Sequence, residues 1–396
     1  MPKQIGRLQS FGFAKETTRG TAQSSASEWI AFDDLEFDEK ADNVMADQAV
    51  GVIEDSIGEY RVKNYADGSF KIPLTDTTPG YLFLSLLGAQ ATATVTSGVY
   101  THTFTVGETA QHPTLTYFLH DPAGGTDYSY ANGVLHKMDI DVQLKKFVQL
   151  SCSARAQKGV SQSTFSPSIT AENRFIPQYM TFATAPTLAG ANGTLTGTGT
   201  CSSSIHITGL SISTTLLRVG MTVTGSNIPA GATIVTIVSG TAVDLSVAST
   251  GSATSYTFGG AVVALKNFKM TIDETIEDQE VLGSLSPADF LNKEFKVSGT
   301  LEAIYQNITD FKNAFLATPN VAQAMYVQLV NTDVTIGSTY YPSLLISLDQ
   351  VYFKELAIKK SPKDLIYQTL KWDATYSLAD SEMLNIVLQN AKSSSY

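Results

Sequence analysis

Cysteine is nearly absent: Cys152 and Cys201 are the only two among 396 residues. They fall in different parts of the chain, and one pair makes no disulfide framework, so two unreactive thiols are expected rather than a bridge. Histidine is scarce as well. His102, His112, His120, His136 and His206 include no i, i+4 pair to build a helical metal site. Long hydrophobic runs are missing; the most apolar stretch, Tyr81–Leu87, is far too short to span a bilayer, so no membrane partner is expected. The opening Met-Pro-Lys-Gln-Ile-Gly-Arg7 has no apolar segment that would mark secretion. Cations are outnumbered, 26 Lys and Arg against 37 Asp and Glu, for a net charge of −11. A protein that grips nucleic acid needs cations to neutralise phosphates, so that class is disfavoured. An acidic surface would still let nucleic acid pass without adhering.

Catalytic motifs are missing too. The chain has no Gly-x-x-x-x-Gly-Lys-Ser/Thr, no Gly-x-Ser-x-Gly, no His-Glu-x-x-His and no Cys-x-x-Cys. His120-Asp121 has the residue types for proton transfer, but Pro122 and Gly124-Gly125 make it a strand end entering a turn. The acidic runs Asp33–Asp42 and Asp273–Glu280 lack the spacing of a calcium loop. Paired carboxylates for glycoside hydrolysis would have to face each other across a cleft, and solvated strand faces are the simpler reading. No enzyme activity, cofactor or metal is expected.

What the chain does contain is one structural theme told twice. An alternating strand ending in acid occurs at Trp29–Glu39 and again at Leu265–Asp278. Each is followed by a polar stretch (39–66 and 274–294, read as long loops), then by Phe-Lys-aliphatic at Phe70-Lys71-Ile72 and Phe295-Lys296-Val297. A short apolar helix follows at Pro79–Leu87 and Thr309–Leu316. Hairpins come next, Thr114–His120 with Val134–Leu144 and Met325–Val330 with Leu344–Phe353. Closing strands fall at Val148–Ala156 and Ile366–Tyr376. A unit duplicated in one chain points to a symmetric array rather than to catalysis.

Local signals fill in the rest. Residues 1–28, polar and small, read as an arm or loop; Asp67-Gly68 reads as a hairpin turn; Thr75–Pro79 reads as a helix start capped by hydroxyl or carboxylate, and Gly88 as its end. Val99–Val106 reads as an edge strand, and Ser286-Pro-Ala-Asp289 as a capping pattern. From Pro186 to Gly260 the only formal charges are Arg218 and Asp244, and short strands (Thr194–Thr200, Leu217–Val223, Thr233–Val238, Thr241–Val247) alternate with Gly/Pro turns. That composition marks a separate small β-sandwich. Three domains are expected: 1–185, 186–260 and 261–396.

Several motifs resemble one family. Phe13-Ala-Lys-Glu-Thr-Thr-Arg-Gly-Thr-Ala22 is similar to the opening of tail tube proteins of long-tailed bacteriophages. Gly68-Ser-Phe-Lys, Thr78-Pro-Gly80, Gly98-Val-Tyr-Thr-His-Thr-Phe104 and Pro113-Thr-Leu-Thr116 continue the resemblance, as do Val281-Leu-Gly-Ser284, Val297-Ser-Gly-Thr300 and Leu384–Asn390. It covers about four-fifths of the chain, everything outside the middle module. It implies a mainly β fold: two tandem β-sandwich or barrel domains, each with a flanking helix, plus a small inserted β decoration. It further implies self-assembly into stacked rings, trimeric and pseudo-hexameric for a duplicated chain, forming a hollow virion tail tube. Its implied partners are other copies, the tape measure, tail terminator and baseplate hub proteins, and DNA passing through the lumen. It implies synthesis in the host cytoplasm. A tail-completion or baseplate-hub ring is the rival role, and a glycan-binding module a third. An acidic or neutral bore would limit friction with DNA. The candidate lumen-facing acids are Asp34, Glu36, Asp38, Asp139, Asp141, Asp273 and Asp349.

Overall fold

A computed structural model describes residues 5–54, 56–122, 126–162, 164–304, 309–318, 320–360 and 365–396. The fold is mainly β. Its centre is one continuous antiparallel sheet of eight long strands. In spatial order these are Asp34–Ala46, Gly58–Pro73, Gln149–Gln157, Asp127–Gln143, Leu265–Gln279, Asp289–Ile304, Tyr367–Thr375 and Ser343–Lys359. The first four come from the first half of the chain and the last four from the second. Asp127–Gln143 and Leu265–Gln279 join the halves, from Asn267 opposite Gln143 to Asp273 opposite Lys137.

Register shows the duplication more firmly than residue identity does. A bulge between Asp42 and Asn43 is matched by one between Thr275 and Ile276. Another between Leu135 and Lys137 is matched by one between Phe353 and Glu355. A third between Leu115 and Tyr117 is matched by one between Gln323 and Met325. Gly68 and Gly299 occupy the same place, opposite Phe37 and Met270. A Cβ on Gly68 would lie 1.9 Å from the Glu36 carbonyl oxygen, and one on Gly299 would lie 2.3 Å from that of Lys269. Each glycine lets two backbones approach where no side chain fits.

Alternation decides which face is covered. Phe37, Phe70, Cys152, Met138, Ile140, Met270, Val297 and Trp372 point to one side and are buried. A second layer covers them. In the first half it holds Ser10–Lys15 between Glu28–Ile30 and Leu115–His120. In the second half it holds Met180–Ala185 between Gln323–Val330 and the end of Ser252–Val262. Phe11 stacks on Tyr117 at 5.6 Å and packs against Phe37 and Phe70, so an aromatic cluster ties the layers together. All nine residues of the helix Pro79–Leu87 are buried. Gly88, at φ 91°, ends it by donating its N–H to Leu84 O.

Several expectations need correction. Residues 39–46 with 58–66, and 274–279 with 289–294, are not loop but the outer parts of two long hairpins, Asp34–Ala46 with Gly58–Pro73 and Leu265–Gln279 with Asp289–Ile304; the loop expectation holds for the irregular ends at 47–54 and 280–288. Asp67-Gly68 is mid-strand, its glycine serving close approach rather than a turn. Ser10–Lys15 is a core strand, since Phe11 and Phe13 are buried on it. Val99–Val106 is interior, flanked by Gly88–Thr96 and by Leu384–Asn390. The helix start at Thr78 has no side-chain cap from its own residue; its N–H and hydroxyl donate to Glu172 at 3.1 and 2.7 Å. Ser286–Asp289 leads into a strand, not a helix. Met180–Ala185, assigned above to the first domain, is hydrogen-bonded to Gln323–Val330 of the second half. Gly124 and Gly125 lie outside the described residues.

The middle module has its own core, built from Leu210, Met221, Val223, Ile234, Val243, Tyr256 and Phe258 among others. Leu195–Ser202, Met221–Thr224 and Ser252–Val262 make one sheet layer. His206–Ile207, Ala242–Leu245 and Ile234–Ser239 make the other. The module enters after Met180–Ala185 and leaves through Ser252–Val262. In the first half the corresponding connection, between Ser10–Lys15 and Glu28–Ile30, is only residues 16–27.

Candidate assembly interfaces

The uncovered face of the eight-stranded sheet gathers six of the seven acids named from sequence. Cross-strand rows run Asp34–Lys71–Ser151–Asp139–Thr271–Ser298–Asp373 and Glu36–Ser69–Ser153–Lys137–Asp273–Lys296. Asp38 and Asp141 share that face, opposite Asp67 and Lys269. Lysines therefore alternate with the acids, and the face is a balanced mosaic rather than an acidic strip. Asp139 is not a freely solvated acid: it accepts from Thr271 Oγ1 at 2.6 Å and pairs with Lys269 at 3.1 Å. Asp349 departs from the group altogether. It is 4 % exposed, and neither carboxylate oxygen finds a hydrogen-bond donor among the described residues. Burial, with Glu382 and Asp380 nearby, pushes its pKa up to about 7.

Two strand edges remain open. Asp34–Ala46 pairs only with Gly58–Pro73 among the described residues. At the other end, residues 352–359 of Ser343–Lys359 pair only with Tyr367–Thr375 among the described residues. Open edges of this length are pairing templates.

The hairpin ends extend beyond the covered layer. Val44, Met45, Val52, Ile53, Ile57 and Tyr60 are exposed on the first, and Val281, Leu282 and Leu285 on the second. The arms brace each other: Lys63 pairs with Asp278 and with Glu280 at 2.7 Å, and Asn64 N–H donates to Leu285 O at 2.7 Å. Apolar side chains held out this way mark an interaction surface.

Residues 6–374 match the family model described as phage tail tube protein. The chain belongs to the phage tail tube protein family. Among curated proteins, none matches it. As a member of that family it is a structural protein of the virion tail, assembling with itself and with other tail proteins.

The family-like opening of this tail tube protein now has a physical reading. Glu16 is buried and accepts from Gly20 N–H (2.7 Å), Thr114 Oγ1 (2.6 Å), Thr116 Oγ1 (3.0 Å) and Asn132 N–H (2.8 Å). Three residues on, Arg19 crosses to the second half, donating through Nε to Asp289 at 2.8 Å and through its terminal nitrogens to the His112 and Phe290 carbonyls. Gln111 and Asn132 also donate to Asp289, at 2.8 and 3.2 Å. Burial alone would raise the Asp289 pKa; the bonds from Gln111 and Phe290 N–H and the Arg19 charge outweigh it and hold the group below its ordinary value.

His112 forms a second clamp. Its Nδ1 lies 3.0 Å from Leu86 O and its Nε2 3.0 Å from Gly107 O, two acceptors that a protonated ring satisfies with both nitrogens donating. Glu274, 3.5 Å away on the second half, supplies the counter-charge. Burial opposes protonation, but Glu274 and the two carbonyls overcome it and raise the pKa. These clamping residues were invisible in sequence because their partners lie up to 271 positions away. His120 pairs not with Asp121 but with Asp127, at 2.9 Å. Cys152 and Cys201 are buried free thiols. No group of three or more metal-ligating side chains converges among the described residues.

Proposed function

We propose that this tail tube protein polymerises as stacked rings of three chains into the hollow tube that conducts DNA during ejection. The observation that carries this reading is the eight-stranded sheet, closed internally where the halves meet and open at both ends. Three copies supply 24 strands, which at about 4.8 Å per strand enclose a barrel roughly 37 Å across if untilted and roughly 52 Å at a 45° tilt. The uncovered face lines the bore, where its alternating Lys and Asp or Glu leave no continuous cationic track to hold phosphate. Asp34, Glu36, Asp38, Asp139, Asp141 and Asp273 belong to that lining. The apolar hairpin ends reach the neighbouring ring.

The domain division follows: a first tube unit through about residue 175, a second from Met180 to the final strand, and the decoration at 186–260 lodged within the second. The tape measure, tail terminator and baseplate hub meet the tube at its core and ends. Electron microscopy of the purified protein tests the reading: long hollow filaments support it, single rings favour the hub role, and dispersed monomers with sugar affinity favour the glycan-binding role. Deleting Ala41–Tyr60 leaves a folded protein that forms no long filaments; filaments of normal length would show that the arms do not mediate stacking.

A further inference from the structure

We infer that the open edge Asp34–Ala46 of one copy pairs antiparallel with Ser343–Lys359 of a second copy in the register of the internal junction, placing Glu36 opposite Lys359 and Lys40 opposite Glu355. The inference rests on the ring reading above and specifies its lateral contact. Matching bulges and the Gly68/Gly299 pair fix the strand equivalence: Glu36 takes the place of Lys269, Lys40 of Asp273, Glu355 of Lys137 and Lys359 of Asp141. Inside the chain, Lys269 lies opposite Asp141 and Asp273 opposite Lys137. Transferred to the open edges, those two pairs become Glu36 with Lys359 and Lys40 with Glu355. Both are again opposite in charge, and both are reversed in sign.

The reversal distinguishes right from wrong partners. If Asp34–Ala46 were offered to Asp127–Gln143 of another copy, Glu36 would meet Asp141 and Lys40 would meet Lys137. If Leu265–Gln279 were offered to Ser343–Lys359, Lys269 would meet Lys359 and Asp273 would meet Glu355. Every homologous mispairing sets like charges directly opposite, which destabilises a strand pair. The four edge side chains, Glu36, Lys40, Glu355 and Lys359, are exposed and available. Glu355 also pairs with Lys371 on its other flank, at 2.9 Å, so that carboxylate sits between two lysines once the edge is filled.

Charge reversal tests this directly. Glu36→Lys/Lys40→Glu, and separately Glu355→Lys/Lys359→Glu, should each raise the concentration needed for assembly roughly 30-fold, from two pairs turned repulsive. The quadruple variant should assemble as wild type does, which also shows that neither pair of changes acts by unfolding the chain. Register is read by cysteine cross-linking. Asp38→Cys with Ala357→Cys should give disulfide-linked multimers, while the off-register Asp34→Cys with Ala357→Cys should not; Cys152 and Cys201 are buried and do not compete. Wild-type protein that never forms rings or filaments overturns the ring reading itself. Wild type that assembles while the reversals have no effect, the quadruple fails to rescue, or the off-register pair cross-links equally well overturns the register alone.

Discussion

The two halves share a strand plan, yet the contacts around them differ. The internal junction has two ladders: the central one, and Leu384–Asn390 of the second half against Val99–Val106 of the first. Among the described residues the second half has no counterpart of the Gly88–Val106 hairpin, so the proposed edge-to-edge contact between copies would lack that second ladder. The clamps differ in the same sense. Asp289, bonded by Arg19, corresponds to Gly58, and Glu274, which balances His112, corresponds to Ala41. The join within a chain is thus sealed, whereas the proposed edge between chains would rest on backbone pairing and a few surface charges.

The strongest way to break this asymmetry is to remove its clamp. Asp289→Ala leaves Arg19, Gln111 and Asn132 without their shared acceptor and should cost about 3 kcal/mol, the scale for one lost partner of a buried pair, read from thermal or denaturant unfolding. A variant as stable as wild type would show that the clamp is not what seals the join. Next in size, Gly68→Ala and Gly299→Ala should each cost about 2 kcal/mol, because both would drive a methyl group into the opposing backbone. Unequal effects would mean that the halves are less alike than their register.

A pH titration sharpens the comparison further. The raised pKa of His112 means that its stabilisation is present at low pH and lost as pH rises through the folded-state value. Asp349 acts with the same sign. Its pKa is about 7 when folded against 3.8 ordinarily, so folding is progressively disfavoured as pH rises across that window. Asp349→Asn should therefore flatten the decline in thermal stability between about pH 4 and pH 7, and an unchanged slope would remove Asp349 from the account. The smallest effect is expected from replacing Pro186–Gly260 with a short Gly/Ser linker. Assembly should persist with a narrower outer diameter, at the modest cost of uncovering Ala185, Ala324 and Tyr326, which help form the module's core. Aggregation of the shortened chain would mean that the module supports the sheet.

Legibility followed burial. Where one face is covered, as at Met138, Ile140 and Val142, period-two alternation was plain, and the Gln149–Gln157 and Tyr367–Thr375 strands were readable, as was the part of Asp127–Gln143 from Val134 onward; residues 127–133 were read as turn because Asn132-Gly133 carries a turn signal inside the strand. Past Glu39 the first hairpin faces solvent on both sides over most of its length, so no period is imposed and it reads as a loop; past Thr275 the second alternates only between half-buried and exposed on its outgoing strand, and the burial of Asp289, Phe290 and Asn292 comes from contacts with the distant first half. Gly68 was misread because a turn and a close backbone approach select the same residue. Alternation placed six of the acids on one sheet face, whereas Asp349 was not separable from them: its burial depends on neighbours that local pattern does not reveal. The sign reversal at the edges is written in the sequence but has no meaning until register aligns the four strands.

The middle module lodges in the second half alone, in a connection that the first half spans with residues 16–27. In a ring of three chains the bore would then repeat six times per turn and the outer surface three times. A protein reading the lumen would count half-chains, while one gripping the outside would count whole chains. The same ring could therefore meet a sixfold partner within and a threefold partner without, with no change in its own structure.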